Sequence, residues 1–97
     1  MHTIKADITW DSVKAKSNRL KHRVLFSDVE SVFYDPSAIS FEDRESEGEA
    51  RFIVIGLDSL ARLVVVAYTY RGSVIRVISA RKASKTEQKT YEKGIRF

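Results

Sequence analysis

Hydrophobic residues in the second half of the chain follow the alternation that is typical of β-strands. Three such runs occupy residues 51–57, 62–70 and 74–80, and polar turns of four and three residues separate them. Parallel neighbours would need a crossover of about a dozen residues or more, so links this short indicate antiparallel pairing. We therefore predict an antiparallel meander of three strands.

The first half of the chain predicts one short strand and one helix. Residues 5–10 alternate as a strand does, and Asp11 is a suitable N-cap for a helix that runs from residue 12 to about residue 23. The polar side of this helix is strongly basic, which predicts a surface position. Its apolar stripe is thin and consists of Val13, Ala15, Leu20 and Val24.

A second helix and a C-terminal helix complete the predicted elements. Ser27 and Glu30 have the spacing of a capping box, and Asp35-Pro36 would end the helix that they begin. Residues 37–41 are predicted to be extended, and a last helix to run from residue 82 or 84 to residue 93. The prediction is an α+β fold with two N-terminal helices, an antiparallel sheet of about four strands and a C-terminal helix.

Length and composition restrict the kinds of protein that this chain can be. With 97 residues, 43% of them hydrophobic, we expect a single domain over 1–97. The absence of cysteine excludes disulfides and thiolate ligands. The two histidines are far apart in the sequence, which argues against a zinc site, and we expect neither a metal nor a cofactor. The sequence has no stretch long enough to span a membrane and no signal-peptide core, which predicts a cytoplasmic protein without membrane contact.

Charge is distributed unevenly along the sequence. The net charge is +4, but residues 42–49 hold five of the thirteen acidic residues. Residues 71–97 carry eight Lys or Arg and only two Glu. The basic end of the chain would attract a polyanion, although it would equally suit solubility or an acidic protein partner.

Arg76 lies inside the apolar run 74–80, which then leads into Arg81 and Lys82. Simple alternation places Arg76 on the same face as Ile78 and Ala80. A guanidinium in that position needs an anion, and its fork of donors fits phosphate as well as carboxylate. A phosphodiester site and a structural ion pair therefore remain alternative interpretations.

A larger set of residues, in order and spacing, resembles the BrnT family of toxins. The similarity extends from Trp10 to Tyr91 and is far more specific than any single short motif. The residues that carry it are Trp10, Asp11, Lys14, Asn18, Lys21, His22, Phe26, Val32, Phe33, Asp35, Pro36, Gly48, Glu49, Arg51, Ile55, Gly56, Arg62, Tyr68, Thr69, Arg71, Arg76, Ile78, Ser79, Ala80, Arg81, Glu87 and Tyr91.

The resemblance implies a RelE-like ribonuclease toxin, with helices packed on an antiparallel sheet. It also implies a cognate antitoxin of the BrnA type with a ribbon-helix-helix DNA-binding part, so that promoter DNA is bound only through the complex. One departure from the family pattern is Arg23, which follows Lys21-His22 where the family usually has glycine.

Metal-free RNA cleavage needs a base for the 2′-hydroxyl, an acid for the leaving 5′-oxygen and cations around the phosphate. Histidine titrates near neutral pH, so His22 is a candidate base or acid, and a cap at the helix C-terminus is the structural alternative. Glu49 and Glu87 are alternative bases. The alternative acids are Tyr91 and Lys82.

Arg62, Arg76 and Arg81 are the candidate phosphate ligands, and ion pairs of Arg62 and Arg76 with Glu49, Asp43 or Glu47 are the structural alternative. Arg81 and Lys82 would gain from the start of the last helix, whose free N–H groups attract phosphate. Antiparallel pairing would bring Arg76 close to Tyr68, on which an RNA base could stack. Lys21 is a further candidate for binding the substrate.

These residues predict a cytoplasmic, metal-independent ribonuclease toxin that inhibits translation and growth and is neutralised by a partner protein. The alternative is a non-catalytic basic module that binds RNA or protein. The sequence leaves open the identity of base and acid, the preferred RNA sequence, ribosome dependence and the oligomeric state.

Overall fold

The computed structural model of the protein describes residues 7–94. Residues 1–6 lie outside the described residues. They include Lys5 and Ala6 of the predicted first strand, and they are the segment in which a signal peptide would begin. The elements in chain order are β1 (Ile8–Trp10), α1 (Ser12–His22), two 3₁₀ helices (Phe26–Asp28 and Glu30–Tyr34), β2 (Ile39–Asp43), β3 (Arg51–Leu57), β4 (Leu63–Arg71), β5 (Val74–Lys82) and α2 (Lys85–Gly94).

The five strands form one mixed sheet in the order β1-β5-β4-β3-β2. The predicted meander of β3, β4 and β5 is confirmed, and β2 adds to it in antiparallel fashion. The prediction of about four antiparallel strands is wrong in one respect, because β1 joins β5 in parallel, with Ile8 opposite Ile75. Local alternation cannot show this pairing, since the two strands are separated by most of the chain.

The second predicted helix is replaced by the two 3₁₀ helices, and Ser27 makes no capping bond there. Phe26, Val29 and Val32 recur every third residue, and all three are at most 2% exposed. A 3₁₀ helix has three residues per turn, so this spacing brings all three side chains onto the sheet.

The apolar stripe predicted for α1 is wrong in part: Val24 is buried and Ala15 packs against the same core cluster, but the other two predicted members are exposed. Val13 and Leu20 are 75% and 77% exposed, whereas Asn18 is the buried side chain of the helix. The helix lies beside the edge of β5 rather than flat on the sheet, so a polar residue that can satisfy a strand edge takes the inner position.

Each face of the sheet carries its own core. On the first face, the 3₁₀ helices cover Val54, Val64, Val66 and Val77. On the second face, Tyr91 of α2 packs on Ile55 and Val65. Because α2 covers only the part of the second face around these residues, side chains of β5 remain accessible there.

A β-bulge in β5 corrects the predicted facing of Arg76. Ala67 pairs with Ser79, and Tyr68 pairs with Val77, so Ile78 is an extra residue between them. Ala80 therefore joins Val77 in the first core, and Arg76 points to the second face. The simple alternation that placed Arg76 and Ala80 together fails at the bulge.

Candidate functional site

The candidate site begins with the junction between α1 and β5. Asp11 starts the helix by accepting a hydrogen bond from the N–H of Val13 at 2.8 Å. β1 ends opposite Val77, so the backbone of Ala80 has no strand neighbour on that side. Asn18 takes the place of the strand: its Oδ1 accepts from the Ala80 N–H at 3.0 Å, and its Nδ2 donates to the Ala80 carbonyl at 2.8 Å.

A groove of about 190 Å³ runs between α1 and β5. Polar and basic side chains from both elements meet there, and among them are the predicted residues His22 and Lys21. The complete lining is Lys14, Ser17, Asn18, Lys21, His22, Ile78 and Ser79. The groove therefore combines two lysines, an imidazole and two hydroxyls next to the bulge.

His22 is the last residue of α1, but its side chain is not the cap of the helix. The left-handed backbone of Arg23 (φ 58°, ψ 30°) ends the helix, and the N–H of Arg23 donates to the Arg19 carbonyl at 2.9 Å. His22 still lies in the last turn of α1, where the helix dipole favours a cation, so its position also suits the structural alternative. The half-buried imidazole lines the groove.

Arg76 lies on the same face of the sheet as Ser79, and Arg81 follows on that face. Their partners on β4 are Thr69, Ala67 and Val65 in turn, so the three residues of β5 are spaced by about 7 Å each. Within residues 7–94, no carboxylate lies within ion-pairing distance of Arg76. The ion pairs proposed for it with Glu49, Asp43 or Glu47 are not formed.

Arg81 is bound to Glu87 through two hydrogen bonds of 2.7 and 2.8 Å. The guanidinium lowers the pKa of the Glu87 carboxyl to about 2, and the backbone and hydroxyl of Ser84 contribute in the same direction. Glu87 also accepts from the Ser84 N–H at 2.8 Å, while Ser84 Oγ accepts from the Glu87 N–H at 3.2 Å. This reciprocal pair is a capping box that begins α2.

Arg81 and Lys82 belong to the end of β5, not to the start of a helix as predicted. Lys82 pairs with Val64, whose side chain lies in the first core, so Lys82 points away from the face of Arg76 and Arg81. The helix N-terminus at Lys85 is occupied by Glu87.

Arg62 is held by carboxylates, which is the structural alternative, although the partners differ from those predicted. Its Nη2 lies 2.8 Å from Asp58 Oδ2 and 3.8 Å from Asp28 Oδ2. Its Nη1 donates to the Arg23 carbonyl at 3.2 Å. Asp58 is fully buried and also accepts from the N–H groups of Leu60 and Arg62. The arginine therefore neutralises a buried charge in the β3–β4 turn.

Glu49 lies in the β2–β3 connection, and its Oε1 is 3.3 Å from Arg71 Nε. Both side chains of this ion pair are largely exposed. The structure does not bring Glu49 into the groove lined by His22. An exposed pair of this kind contributes little to stability.

Tyr91 is buried between α2 and the sheet, and its hydroxyl donates to Asp35 Oδ2 at 2.8 Å. Burial, together with the hydrogen bond to the Asp35 carboxylate, raises the pKa of the Tyr91 hydroxyl. The N–H groups of Leu57 and Ser37 also donate to Asp35, and these bonds, against the effect of burial, leave the pKa of its carboxyl lowered. Tyr91 thus connects α2 to the turn after the second 3₁₀ helix.

Tyr68 does not lie beside Arg76, contrary to the prediction. It pairs with Val77 and points into the first core. There the centroid of its ring lies 5.0 Å from that of Phe33 and 5.7 Å from that of Phe52. Burial raises the pKa of its hydroxyl. The register of the β4–β5 hairpin pairs Arg76 with Thr69, so Arg76 and Tyr68 lie on opposite faces of the sheet.

Asn18 and Ser79 are the site residues whose function the sequence patterns did not reveal. Asn18 occupies the inward position of a helix with few apolar residues, and that is the signal by which its role could have been found. Among residues 7–94, no three His, Cys, Asp or Glu side chains are grouped so that they could hold a metal ion. Nor does that part of the chain contain a helix long and apolar enough to cross a membrane.

Comparison with known proteins gives the family. Residues 10–87 match the family model described as "Ribonuclease toxin, BrnT, of type II toxin-antitoxin system". The crystal structure of the Brucella abortus ribonuclease toxin BrnT is similar at 30% sequence identity with a TM-score of 0.64, and the match covers 81% of this chain and 97% of that one. No curated protein sequence matches. The matched span contains the groove, the face of β5 that carries Arg76 and Ser79, and the Arg81–Glu87 pair. The chain therefore belongs to the BrnT family of ribonuclease toxins of type II toxin-antitoxin systems.

Proposed function

We propose that this chain cleaves RNA without a metal ion, at the groove between α1 and β5 and the adjoining face of β5. The observation that carries the proposal is Arg76. It is the candidate arginine that no carboxylate neutralises within residues 7–94, and it shares a sheet face with Ser79 of the groove. An unpaired guanidinium beside a groove with an imidazole is suited to a phosphodiester.

In the proposed reaction, the 2′-oxygen attacks the adjacent phosphorus, and the bond from phosphorus to the 5′-oxygen breaks. A base removes the 2′-hydroxyl proton, and an acid supplies a proton to the leaving 5′-oxygen. Arg76 stabilises the charge on the phosphoryl oxygens, with Lys14 and Lys21 adding positive potential along the groove. Side-chain cations thus supply the charge stabilisation that a metal ion supplies in other nucleases.

His22 is the proton-transfer group of this proposal, because each alternative acid or base is either bound to another side chain or turned away from the groove. The Glu87 carboxylate is bound by Arg81 and by Ser84, and a pKa of about 2 makes it a weak base. The Tyr91 hydroxyl is buried on Asp35, and Lys82 points to the opposite face. We assign Arg81 and Glu87 a positioning role at the end of β5.

The family supports a partner and a cellular effect for the chain. We propose that a BrnA-like ribbon-helix-helix antitoxin neutralises it in the cytoplasm, and that promoter DNA is bound only through the complex. Released from the antitoxin, the chain would degrade RNA, inhibit translation and stop growth.

The test compares wild type, Arg76→Ala, Arg76→Lys and the control Arg44→Ala with a defined RNA in the presence of EDTA. Wild type and Arg44→Ala should cleave, because Arg44 is exposed on the β2–β3 connection, away from the groove. Arg76→Ala should lose roughly two to three orders of magnitude in rate. Arg76→Lys should recover only part of it, since an ammonium lacks the fork geometry.

Cleavage that stops in EDTA and returns with a divalent ion would contradict the metal-free reaction. RNA binding without any cleavage would instead favour a non-catalytic basic module. His22→Gln provides a second test: it should slow single-turnover cleavage and leave RNA affinity close to wild type, and a wild-type rate would remove His22 from the reaction.

A further inference from the structure

The sheet face opposite Arg76 contains an aromatic cleft of about 300 Å³. It lies between the second 3₁₀ helix and the ends of β3, β4 and β5. The ring centroids of Tyr68 and Tyr70 are 5.8 Å apart, and those of Phe52 and Tyr70 are 5.5 Å apart. The cleft is lined by Val32, Phe33, Tyr34, Asp35, Ala38, Ser40, Val54, Tyr68, Tyr70 and Ile75.

Two of these aromatic rings remain open to solvent. Tyr34 is 45% exposed and Tyr70 is 47% exposed, whereas Tyr68 below them is buried. Aromatic residues that are half exposed around a concave surface are typical of a site that receives a side chain or a base.

The charges around the cleft are negative. Among residues 7–94, none of those that line the cleft is basic, and Asp35, whose carboxyl has a lowered pKa, is one of them. Glu42 pairs with Phe52 across β2 and β3, so its side chain lies on the same face beside the cluster, and it is exposed. At this end of the sheet the connection 44–50 carries Glu45, Glu47 and Glu49 against one basic residue, Arg44. Glu49 is paired with Arg71, and with that charge included the connection remains net negative.

Negative potential decides between the two kinds of occupant that an aromatic cleft can bind. An RNA base would bring its phosphates against Glu42 and the acidic connection, which repels them. A guanidinium or ammonium group is attracted both by the aromatic faces and by the carboxylates. The cleft is therefore complementary to a basic polypeptide segment.

We propose that this cleft is a docking site for a partner polypeptide, which inserts an arginine or lysine side chain against Tyr34 and Tyr70, with Glu42 as its counter-charge. The partner is the antitoxin, and this identification rests on the proposed function. Because the cleft and Arg76 occupy opposite faces of one sheet, this contact anchors the partner without itself covering the proposed catalytic groove.

The first experiment titrates the full-length, isotope-labelled chain with N-acetylarginine amide, N-acetylcitrulline amide and adenosine 5′-monophosphate. The arginine compound should shift the amide signals of Ser40, Phe52 and Tyr70, and citrulline, which has the same shape without the charge, should shift them far less. Equal shifts from citrulline would overturn the role of charge. Selective binding of the nucleotide in the cleft would show that it is an RNA subsite instead.

The second experiment measures the affinity of the cognate antitoxin for Tyr70→Ala and Glu42→Gln. Both should weaken binding, by roughly tenfold for Tyr70→Ala. Phe41→Ala is the control, because Phe41 is a comparably exposed ring on the opposite face, next to Ile53. Circular dichroism of each variant separates lost binding from lost fold.

Unchanged affinity in both folded variants would overturn the docking proposal, whatever the small-molecule titration gives. Tyr70→Ala and Glu42→Gln should still cleave RNA, since neither residue lines the groove. If they cleave RNA but bind the antitoxin normally, the docking proposal fails while the proposed ribonuclease function stands.

Discussion

Asn18 and Ala80 are joined by two side-chain-to-backbone hydrogen bonds of 3.0 and 2.8 Å, so a helix residue completes the edge of β5 where β1 ends. Asn18 Nδ2 also donates to the Val24 carbonyl at 3.1 Å. One amide group therefore fixes the helix, the strand and the segment after the helix relative to each other. The groove with His22 depends on this junction.

Asn18→Ala should lower the free energy of unfolding by about 2–4 kcal/mol, because it leaves buried backbone groups of Ala80 and Val24 without partners. Urea denaturation at neutral pH measures the change. Ser17→Ala, an exposed neighbour on the same helix, is the control and should change stability by less than about 0.5 kcal/mol. If Asn18→Ala also changed stability by less than about 0.5 kcal/mol, water would be replacing the hydrogen bonds of the Asn18 amide.

Arg23→Gly should stabilise the protein by about 1 kcal/mol. Arg23 has a left-handed backbone with φ 58°, and this conformation raises the free energy of any residue that carries a Cβ atom. The substitution would raise the Tm by roughly 4–8 °C for a domain of this size. A glycine at this position, which the family resemblance implies, would suit the same backbone geometry.

Arg23→Ala is the matched control, since alanine keeps the strained backbone and removes the charge. It should not raise the Tm. A rise equal to that of Arg23→Gly would assign the effect to the charge cluster of Arg19, Lys21 and Arg23 instead of the backbone.

Glu87→Gln should lower the stability by about 1 kcal/mol at pH 7, because the paired Arg81 is 46% exposed and is partly hydrated after the change. The pKa of Glu87 in the folded protein, about 2, lies below its ordinary value of 4.5. Its ionisation therefore stabilises the fold fully above pH 4.5, and the contribution is lost as the pH falls towards 2.

The measurement is urea denaturation of both proteins from pH 7 down to the lowest pH at which they fold. The difference in unfolding free energy between wild type and Glu87→Gln should shrink below pH 4.5. A difference that stays constant with pH would mean that the carboxylate charge contributes nothing.

Arg62→Ala should impair folding, whereas Arg76→Ala should impair cleavage. Removing the Arg62 guanidinium leaves the buried Asp58 carboxylate without its cation, which should cost about 3–5 kcal/mol. Arg76→Ala should keep a wild-type melting curve, because no carboxylate of the described residues depends on it. Thermal melts and single-turnover cleavage of both variants test the contrast.

A normal melting curve for Arg62→Ala would return Arg62 to the candidates for phosphate binding. Loss of fold in Arg76→Ala would show that Arg76 has a structural partner after all.

The sequence by itself determined the antiparallel meander, the start of α1 at Asp11 and the nature of the last helix. Each depends on interactions between residues that are close in sequence: strand alternation with short turns, a side-chain cap, and a capping box at Ser84 and Glu87. The family could be identified for the same reason, because its residues keep their order and spacing.

Only the tertiary structure decided which candidate residues meet. The register of the β4–β5 hairpin turned Arg76 away from Tyr68, and the bulge at Ile78 separated Arg76 from Ala80. The parallel pairing of β1 left an edge of β5 for Asn18 to complete. The partners of Arg62 and Arg81 likewise depend on where turns and helix ends meet in space. One inserted residue reverses the facing of a strand, and a side chain's ion partner is set by distances through space, so local patterns could not predict either.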